Sequence, residues 1–337
     1  MKKKVTLTGI TTTGTPHLGN YVGAIRPAVE ASRQENNRSF YFLADYHALV
    51  KNQNPERFRQ STREVAAAWL ALGLDTDQSI FYRQTDIPEI MELTWILMCM
   101  TAKGLMNRAH AYKALVAENE KKRAGDPDKG ISMGLFCYPV LMAADILMFK
   151  ANEVPVGKDQ VQHLEMARDI AGRFNHVFGN TFVLPEAVTD TKTAVLKGLD
   201  GLKMSKSYDN TIPLFVPEKK LRKLIMKIKT NSQGPEEPKN PKTCTLFETY
   251  QAFATKEEVL AMKDRYAAGI AWGKMKQILF EYLNDHLAEP RRHYQSLIEN
   301  PEYIEKVLKE GAEKARAHSI PFLAEIRKKI GVQAIGG

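Results

Sequence analysis

Lys203-Met204-Ser205-Lys206-Ser207 puts two ammonium groups three residues apart with two hydroxyls beside them, in a loop led by Gly198-Leu199-Asp200-Gly201-Leu202. Such a loop can clamp a polyphosphate, because several charge-assisted donors converge on one anion. By itself it is equally a basic surface loop. Far upstream runs Gly9-Ile10-Thr11-Thr12-Thr13-Gly14-Thr15-Pro16-His17-Leu18-Gly19-Asn20. It reads as a strand, a turn rich in glycine and hydroxyls, and a helix N-terminus. Backbone N–H groups and the helix dipole at such a terminus favour an anion. Gly14 and Gly19 allow a ligand to approach the backbone closely. His17 and Asn20, three apart, can face the same phosphate. The turn is neither GxGxxG nor GxxxxGK[ST], so the usual dinucleotide and P-loop readings do not apply. A third candidate is Asp145, set in the apolar run Tyr138-Pro139-Val140-Leu141-Met142-Ala143-Ala144-Asp145-Ile146-Leu147. A buried carboxylate needs a partner, whereas Met142 alone reads as core packing.

The elements that must position these residues alternate between strand and helix. Val5–Thr8, Ser39–Leu43, Ser79–Tyr82 and Val154–Val156 read as strands. Helical patterns follow near Gly19–Gln34, from Pro55 (Phe58, Val65, Trp69, Leu70 and Leu72 on one period), and over Asp159–Phe174. This alternation implies a parallel sheet with crossover helices. A helical stretch over about residues 88–130, ending in a charged Gly/Pro-punctuated segment, interrupts it as an insertion. After Pro217 strand candidates vanish. Amphipathic helices are expected at Glu218–Thr230, Lys256–Tyr266, Ile270–His286, Tyr303–His318 and Pro321–Ile330, with a loop at Asn231–Pro241. The expected fold is therefore α/β, a Rossmann-like doubly wound parallel sheet over residues 1–216 with the insertion at about 88–130. An all-α C-terminal domain over 217–337 follows.

Composition narrows the function classes. The 337 residues, 44% apolar and 26% charged, fit a globular chain of about two domains of roughly 150 residues each. They exclude a collagen or a mainly disordered chain. Net charge is +9, and +6 of it falls from Glu218 onward, where 22 Lys and Arg face 16 Asp and Glu. A negatively charged partner is compatible with that excess, as is a solvated face. Cys99, Cys137 and Cys244 are dispersed, with no CxxC metal or redox spacing, which suits a reducing cytoplasm. Lys2–Lys4 are not followed by the apolar segment of a signal peptide. The apolar stretch Leu135–Phe149 is too short to span a membrane. A cytoplasmic protein without a membrane partner is expected.

KMSKS is a literal match to the second signature of the class I aminoacyl-tRNA synthetases, and His17-Leu18-Gly19-Asn20 resembles their first, HIGH. The two stand in the order that family uses. Over essentially the whole chain the resemblance is to the bacterial-type tryptophanyl-tRNA synthetases. Tyr138–Leu147 is similar to their YPxLMAADIL helix, which implies that Met142 packs on an indole, that Asp145 accepts the indole N–H and that Tyr138 lines the pocket. An indole is flat, apolar and carries one donor, so a methionine wall with one buried carboxylate suits it. Val154-Pro155-Val156-Gly157-Lys158-Asp159-Gln160-Val161-Gln162-His163 resembles a VPVGxDQxxH segment at a strand's carboxyl end, where open α/β sheets bind ligands. By resemblance Asp159 and the Gly157 backbone hold the ribose, Gln160 holds the amino-acid ammonium, and His163 is a supporting residue.

Asp45-Tyr46-His47-Ala48 matches a DxHA segment and places His47 beside the amino-acid pocket. Lys113 aligns with a family lysine that reaches the phosphates, and Val195 with an apolar residue that packs on adenine. Trp272-Gly273-Lys274-Met275-Lys276 resembles a YGxxK pattern of the tRNA-binding helices. The nucleotide site implied by resemblance thus comprises Thr11, Thr12, Thr13, Gly19, Asn20, Gly157, Lys158, Asp159, Val195 and Lys203–Ser207. Three segments depart from the family pattern. Thr11-Thr12-Thr13-Gly14 stands for QPSG, Lys158 replaces a usual Glu, and Thr230-Asn231-Ser232 replaces TDS.

The resemblance implies ATP with Mg²⁺, L-tryptophan and tRNA as partners, a homodimer, and no metal held by the protein. It also implies a two-step reaction. The tryptophan carboxylate attacks the α-phosphorus of ATP, and a hydroxyl of the terminal tRNA adenosine then attacks the adenylate. A carboxylate is already nucleophilic at neutral pH, so catalysis rests on positioning and charge stabilisation. Lys203, Lys206 and Lys113 would neutralise the pyrophosphate, with His17 and Asn20 on the α-phosphate. Three alternatives stay open on the sequence: a tyrosyl enzyme, a non-charging regulatory paralogue, and a generic nucleotidylyltransferase.

Overall fold

The computed structural model describes residues 4–34, 37–123, 125–157, 160–189, 195–332 and 334. Its sheet contains β1 (Lys4–Thr11), β2 (Asn37–Ala44), β3 (Ile80–Arg83), β4 (Glu153–Pro155) and β5 (Glu186–Val188). All neighbours are parallel, in the order β3-β2-β1-β4-β5. The chain winds one way from β1 to β3 and the other way from β4 to β5. The carboxyl ends of β1 and β4 therefore flank the crevice where ligands of open α/β sheets bind.

Both sheet faces are covered, so β2, which lies between β3 and β1, has no polar alternation along its buried length. Phe40 and Phe42 of β2 enter one apolar cluster, while Tyr41 and Leu43 enter the other. Successive side chains of a strand point to opposite faces, and each face of β2 thus receives its own pair.

The turn after β1 leads into α1 (Leu18–Asn20), a π-helical turn (Tyr21–Ile25) and α2 (Arg26–Ser32). Two helices, α3 (Asp45–Leu49) and α4 (Pro55–Ala71), lie between β2 and β3. Asn54 caps α4 by accepting the Arg57 N–H, and Pro55 occupies its first turn. The interruption between β3 and β4 is helical: α5 (Pro88–Met100), α6 (Lys103–Met106), α7 (His110–Lys121) and α8 (Met133–Met148). The last of these packs against α5 and α9 (Val161–Phe178). The remainder is α10 (Glu218–Met226), α11 (Thr245–Gln251), α12 (Lys256–Ala268), α13 (Trp272–His286), α14 (Ala288–Glu299) and α15 (Pro301–Lys329).

Several expectations need correction. The three-residue strand β5 and helices α11 and α14 had no clear pattern in the sequence. The two helices expected at 303–318 and 321–330 are one, with Pro321 inside it. Proline normally interrupts a helix by removing an i→i−4 bond. Here the carbonyl it deprives belongs to exposed Ala317, where water can satisfy it. Phe322, Leu323 and Ile326 beyond it are buried in the cluster that also holds Leu7, Phe40 and Tyr82, so packing carries the helix through.

Helix α15 does not stay with its neighbours in sequence. It runs along β3, and Gly311 sits so close that a Cβ there would lie 1.7 Å from the Phe81 carbonyl oxygen. Arg83 at the end of β3 donates to Glu305, and Arg316 donates to Glu89 of α5. The expected start of the ninth helix at Asp159 lies outside the described residues. Among the described residues no helix is long and apolar enough to cross a membrane.

Candidate active site

The two signature segments meet at the crevice. Leu18 N–H donates to the Ile212 carbonyl and Leu214 N–H to the Pro16 carbonyl, at 3.0 and 2.9 Å. The chain beyond Lys203–Ser207 is thereby stitched antiparallel to the turn after β1. Met204 is buried and packs 3.6 Å from where a Gly19 Cβ would stand. It is the anchor of its loop, whereas Lys203, Lys206 and Ser207 are exposed.

His17 and Asn20 close on each other. The Asn20 N–H donates to His17 Nδ1 at 3.3 Å, and the His17 N–H donates to Asn20 Oδ1 at 3.1 Å. This reciprocal cap leaves Nε2 of His17 and Nδ2 of Asn20 as the groups that can reach a phosphate, a narrower role than the spacing alone suggested. Nδ1 accepts, so the ring proton is assigned to Nε2. Burial, with Lys206 nearby, lowers the His17 pKa to about 4, and the imidazole is a neutral donor at pH 7. Gly19 is required beneath it, since a Cβ would press the His17 ring at 3.1 Å.

In the turn itself Gly14 has φ +70°, a conformation that favours glycine. Its N–H donates to Ser61 Oγ at 3.1 Å, and Thr15 Oγ1 donates to Glu64 at 2.7 Å. Thr11 is exposed and Thr13 half-buried, but Thr12 is fully buried and its hydroxyl has no partner among the described residues. The Lys206 ammonium donates to the Thr13 carbonyl. Although the residue as a whole is exposed, its ammonium lies against the turn and near Arg57, and the lost hydration, then the arginine charge, lower its pKa to about 8.

Asn210 fixes the lysine loop. It is 2% exposed, accepts the Ser205 N–H at 2.8 Å and donates to Asp200 and the Lys203 carbonyl. Gly198 gives it room, since a Cβ there would lie 2.4 Å from Asn210.

A second constellation surrounds Asp145, which is fully buried on α8. His47 Nε2 lies 2.9 Å from Oδ2, and Gln84 Nε2 donates to both oxygens at 2.8 and 2.9 Å. Burial pushes the Asp145 carboxyl up, while His47 and Gln84 oppose that shift. A carboxylate has about four acceptor positions; these contacts take three and leave one for a ligand. Gln84 Oε1 accepts the Tyr46 N–H at 3.1 Å, and Asp45 accepts from Thr85 Oγ1 at 2.6 Å. The segment after β2 is thus locked to the segment after β3. Nearby, the Tyr138 hydroxyl meets His163 Nε2 at 2.6 Å, and His163 Nδ1 meets Gln160 Oε1 at 2.8 Å. His163 orients both neighbours, and Met142 is half-buried one turn before Asp145.

Sequence reasoning had missed Gln84, Ser61, Asn210 and Arg57. Only Gln84 carried a signal, a polar residue just past a strand's carboxyl end. Of the predicted residues, Val195 and Gly157 are exposed, and Lys158 and Asp159 lie outside the described residues. Lys113 is exposed on α7, with no side-chain hydrogen bond or ion pair to the turn or the lysine loop among the described residues. The arrangement offers an anion site of cations and one neutral donor, next to a buried acceptor on an apolar helix.

Comparison with known proteins agrees with this chemistry. The profile of the family described as tRNA synthetases class I (W and Y) matches residues 2–288. The tryptophan–tRNA ligase of Pseudomonas aeruginosa is 59% identical over 333 residues, 98% of this chain and 74% of that protein. The tryptophan–tRNA ligase of Neisseria meningitidis is 56% identical, covering 99% of this chain and all of that one. Among solved structures, the tryptophanyl-tRNA synthetase of Campylobacter jejuni complexed with ADP and tryptophan superimposes with a TM-score of 0.88. It is 43% identical over 97% of this chain and 99% of that chain. By matched length and identity, the chain belongs to the class I tRNA synthetases of the tryptophan and tyrosine group and, within it, to the tryptophan–tRNA ligases.

Proposed function

We propose that the two constellations divide the work of joining tryptophan to tRNA: Asp145 reads the indole, and the paired signature segments hold ATP. The observation that carries the proposal is the buried Asp145 carboxylate, oriented by Gln84 and His47 with one acceptor position left, on an apolar helix at the carboxyl ends of β2 and β3. The tryptophan carboxylate attacks the α-phosphorus of ATP in line, and the α–β anhydride bond breaks with its electrons leaving on pyrophosphate. His17 Nε2 donates to an α-phosphate oxygen as charge develops there. The Lys206 and Lys203 ammonium groups take the leaving pyrophosphate. A hydroxyl of the terminal adenosine of tRNA then attacks the carbonyl of the adenylate and expels AMP. Interactions that strengthen as charge develops are the ones that speed such steps. Mg²⁺ would arrive on the phosphates: the donors lining the turn are cations, amides and hydroxyls, which fit phosphate oxygens and not a cation. Gln160 is the group proposed for the tryptophan ammonium, and Tyr138 for the pocket wall.

We assign the tRNA to the helical C-terminal part, residues 217–337, of which α15 packs back on the sheet, and catalysis to residues 1–216. Helix α10 and the residues just after it expose Lys219, Lys220, Arg222, Lys223, Lys227 and Lys229 beside only one acid, Glu218. A phosphate backbone suits that face, and its neutralisation makes binding salt-dependent. A homodimer is supported by the exposed apolar stripe of α5, where Met91, Trp95 (65% exposed) and Cys99 recur every four residues. The cytoplasm is the expected location, on the dispersed cysteines.

The test is amino-acid-dependent exchange of labelled pyrophosphate into ATP. Exchange with tryptophan and not with tyrosine or phenylalanine is expected. In a Lys206→Ala protein it should fall by roughly 10²–10³-fold, the loss seen for single charge-stabilising donors. Exchange supported equally by tyrosine, or unaffected by Lys206→Ala, would overturn the assignments.

A further inference from the structure

Arg57 belongs to none of the roles above, yet it stands over the phosphate turn. A Cβ built on Gly14 would lie 3.3 Å from Arg57 Nη2 and 3.5 Å from Lys206 Nζ. Two cations from different parts of the chain therefore converge on the open side of one glycine, within about 7 Å of each other. Neither is in an ion pair with a carboxylate among the described residues. The carboxylate whose charge acts on Lys206, Glu64, makes no ion pair with it and already accepts from Thr15 Oγ1 and from Gln60 Nε2. Like charges this close repel, and a ligand carrying several negative charges is what turns the repulsion into attraction. The backbone also holds Arg57 in place. Its N–H is taken by the cap residue Asn54, and Nη1 donates to Gln60 Oε1 at 3.3 Å, one turn further along α4. The remaining guanidinium donors form a planar fork that matches two phosphate oxygens, a geometry an ammonium cannot supply.

We propose that Arg57 is a pyrophosphate-binding residue of the activation step, gripping the terminal phosphates of ATP from the α4 side of Gly14 while Lys206 grips them from the other. This deepens the reading of the phosphate turn given above and rests on it. It also supplies a second cation at the turn, where Lys113 makes no side-chain hydrogen bond or ion pair among the described residues. The bland alternative is a solvated arginine at the start of a surface helix. That alternative leaves unexplained why the space over Gly14 is faced by two cations, neither of them ion-paired among the described residues.

The test is pyrophosphate–ATP exchange in the full-length protein with Arg57→Ala, Arg57→Lys and Lys206→Ala, each checked for an unchanged melting temperature. Arg57→Ala should raise the KM for pyrophosphate and for ATP about 10–100-fold, the loss of one charge-assisted contact pair, and leave the KM for tryptophan within twofold. Arg57→Lys should recover part of the affinity, since it restores charge but not the fork. If Lys206→Ala weakens pyrophosphate while Arg57→Ala does not, Arg57 is a surface residue and the proposal falls alone. If neither variant changes pyrophosphate affinity, the reading of the turn falls with it. An equal rise in the KM for tryptophan would also overturn the proposal, because it would mark a general distortion.

Discussion

Replacing Gln84 by methionine tests the pocket from a residue that touches no ATP group. The side chain is fully buried, and its amide makes three contacts: Nε2 to both Asp145 oxygens and Oε1 to the Tyr46 N–H. Methionine has similar length and volume, so the cavity contribution is small. What is lost is the donor to a buried carboxylate, a class of hydrogen bond worth about 1.5–3 kcal/mol. That bond is made with and without tryptophan, so it acts on binding through the charge and orientation it gives the carboxylate. At about 1.4 kcal/mol per tenfold change, its loss sets an upper bound of roughly 100-fold weaker tryptophan binding, and a loss of about tenfold is expected. The sign of the pH dependence follows from Asp145. Burial raises its pKa, and Gln84 opposes the rise. Without Gln84 the carboxyl protonates at a higher pH, and a protonated carboxyl accepts the indole N–H poorly. The defect should therefore deepen as pH falls and shrink as it rises. Pyrophosphate exchange gives the KM for tryptophan and for ATP across pH, and equilibrium dialysis gives tryptophan binding directly. An unchanged KM for tryptophan, or a matching rise in the KM for ATP, would refute the claim that Gln84 acts through Asp145.

Lys206 should impose an alkaline limb on kcat/KM for ATP. Its ammonium form, present below a pKa of about 8, is the one that grips phosphate, so activity should fall about tenfold per pH unit above that value. Lys206→Arg should abolish the limb, because a guanidinium does not titrate there; a limb that persists would assign it elsewhere. Gly311→Ala should destabilise the protein by about 3 kcal/mol or more, since its Cβ would collide with the Phe81 carbonyl and neither helix α15 nor strand β3 can yield cheaply; urea denaturation measures it, and a loss below about 1 kcal/mol would contradict the packing argument. Reversing Lys219, Lys220 and Lys223 to glutamate should weaken tRNA binding and flatten its salt dependence, with tryptophan-dependent pyrophosphate exchange unchanged; filter binding over a salt series would show it, and an unaltered slope would remove α10 from the tRNA surface.

What was legible in the sequence was local. The strand, glycine turn and capped helix after β1 are written in consecutive residues, as are the lysine loop and the apolar run around Asp145. Neighbours a few residues apart decide those elements. What was not legible depends on distant partners. Gln84 and Asp145 are 61 positions apart, and nothing in either segment names the other. Ser61 meets Gly14 only because α4 folds back over the turn. The same return brings Arg57 to Lys206. Helix α15 misled for a related reason. Pro321 is a proper local stop signal, and burial of Phe322, Leu323 and Ile326 against the sheet overrides it. Spacing pairs His17 and Asn20 toward one phosphate, but it could not show that each caps the other's backbone.

The most direct test of the account is to remove the indole donor from the substrate and not from the protein. A tryptophan analogue with sulfur in place of the ring N–H keeps the shape and loses the one hydrogen bond assigned to Asp145. In pyrophosphate exchange the wild-type chain should favour tryptophan over this analogue by tenfold or more, because an acceptor left unpaired in a buried site costs about 1–3 kcal/mol. In an Asp145→Ala protein the preference should collapse to nearly one. Equal use of the two substrates by the wild type, or a preference that survives Asp145→Ala, would contradict the assignment of Asp145 as the reader of tryptophan.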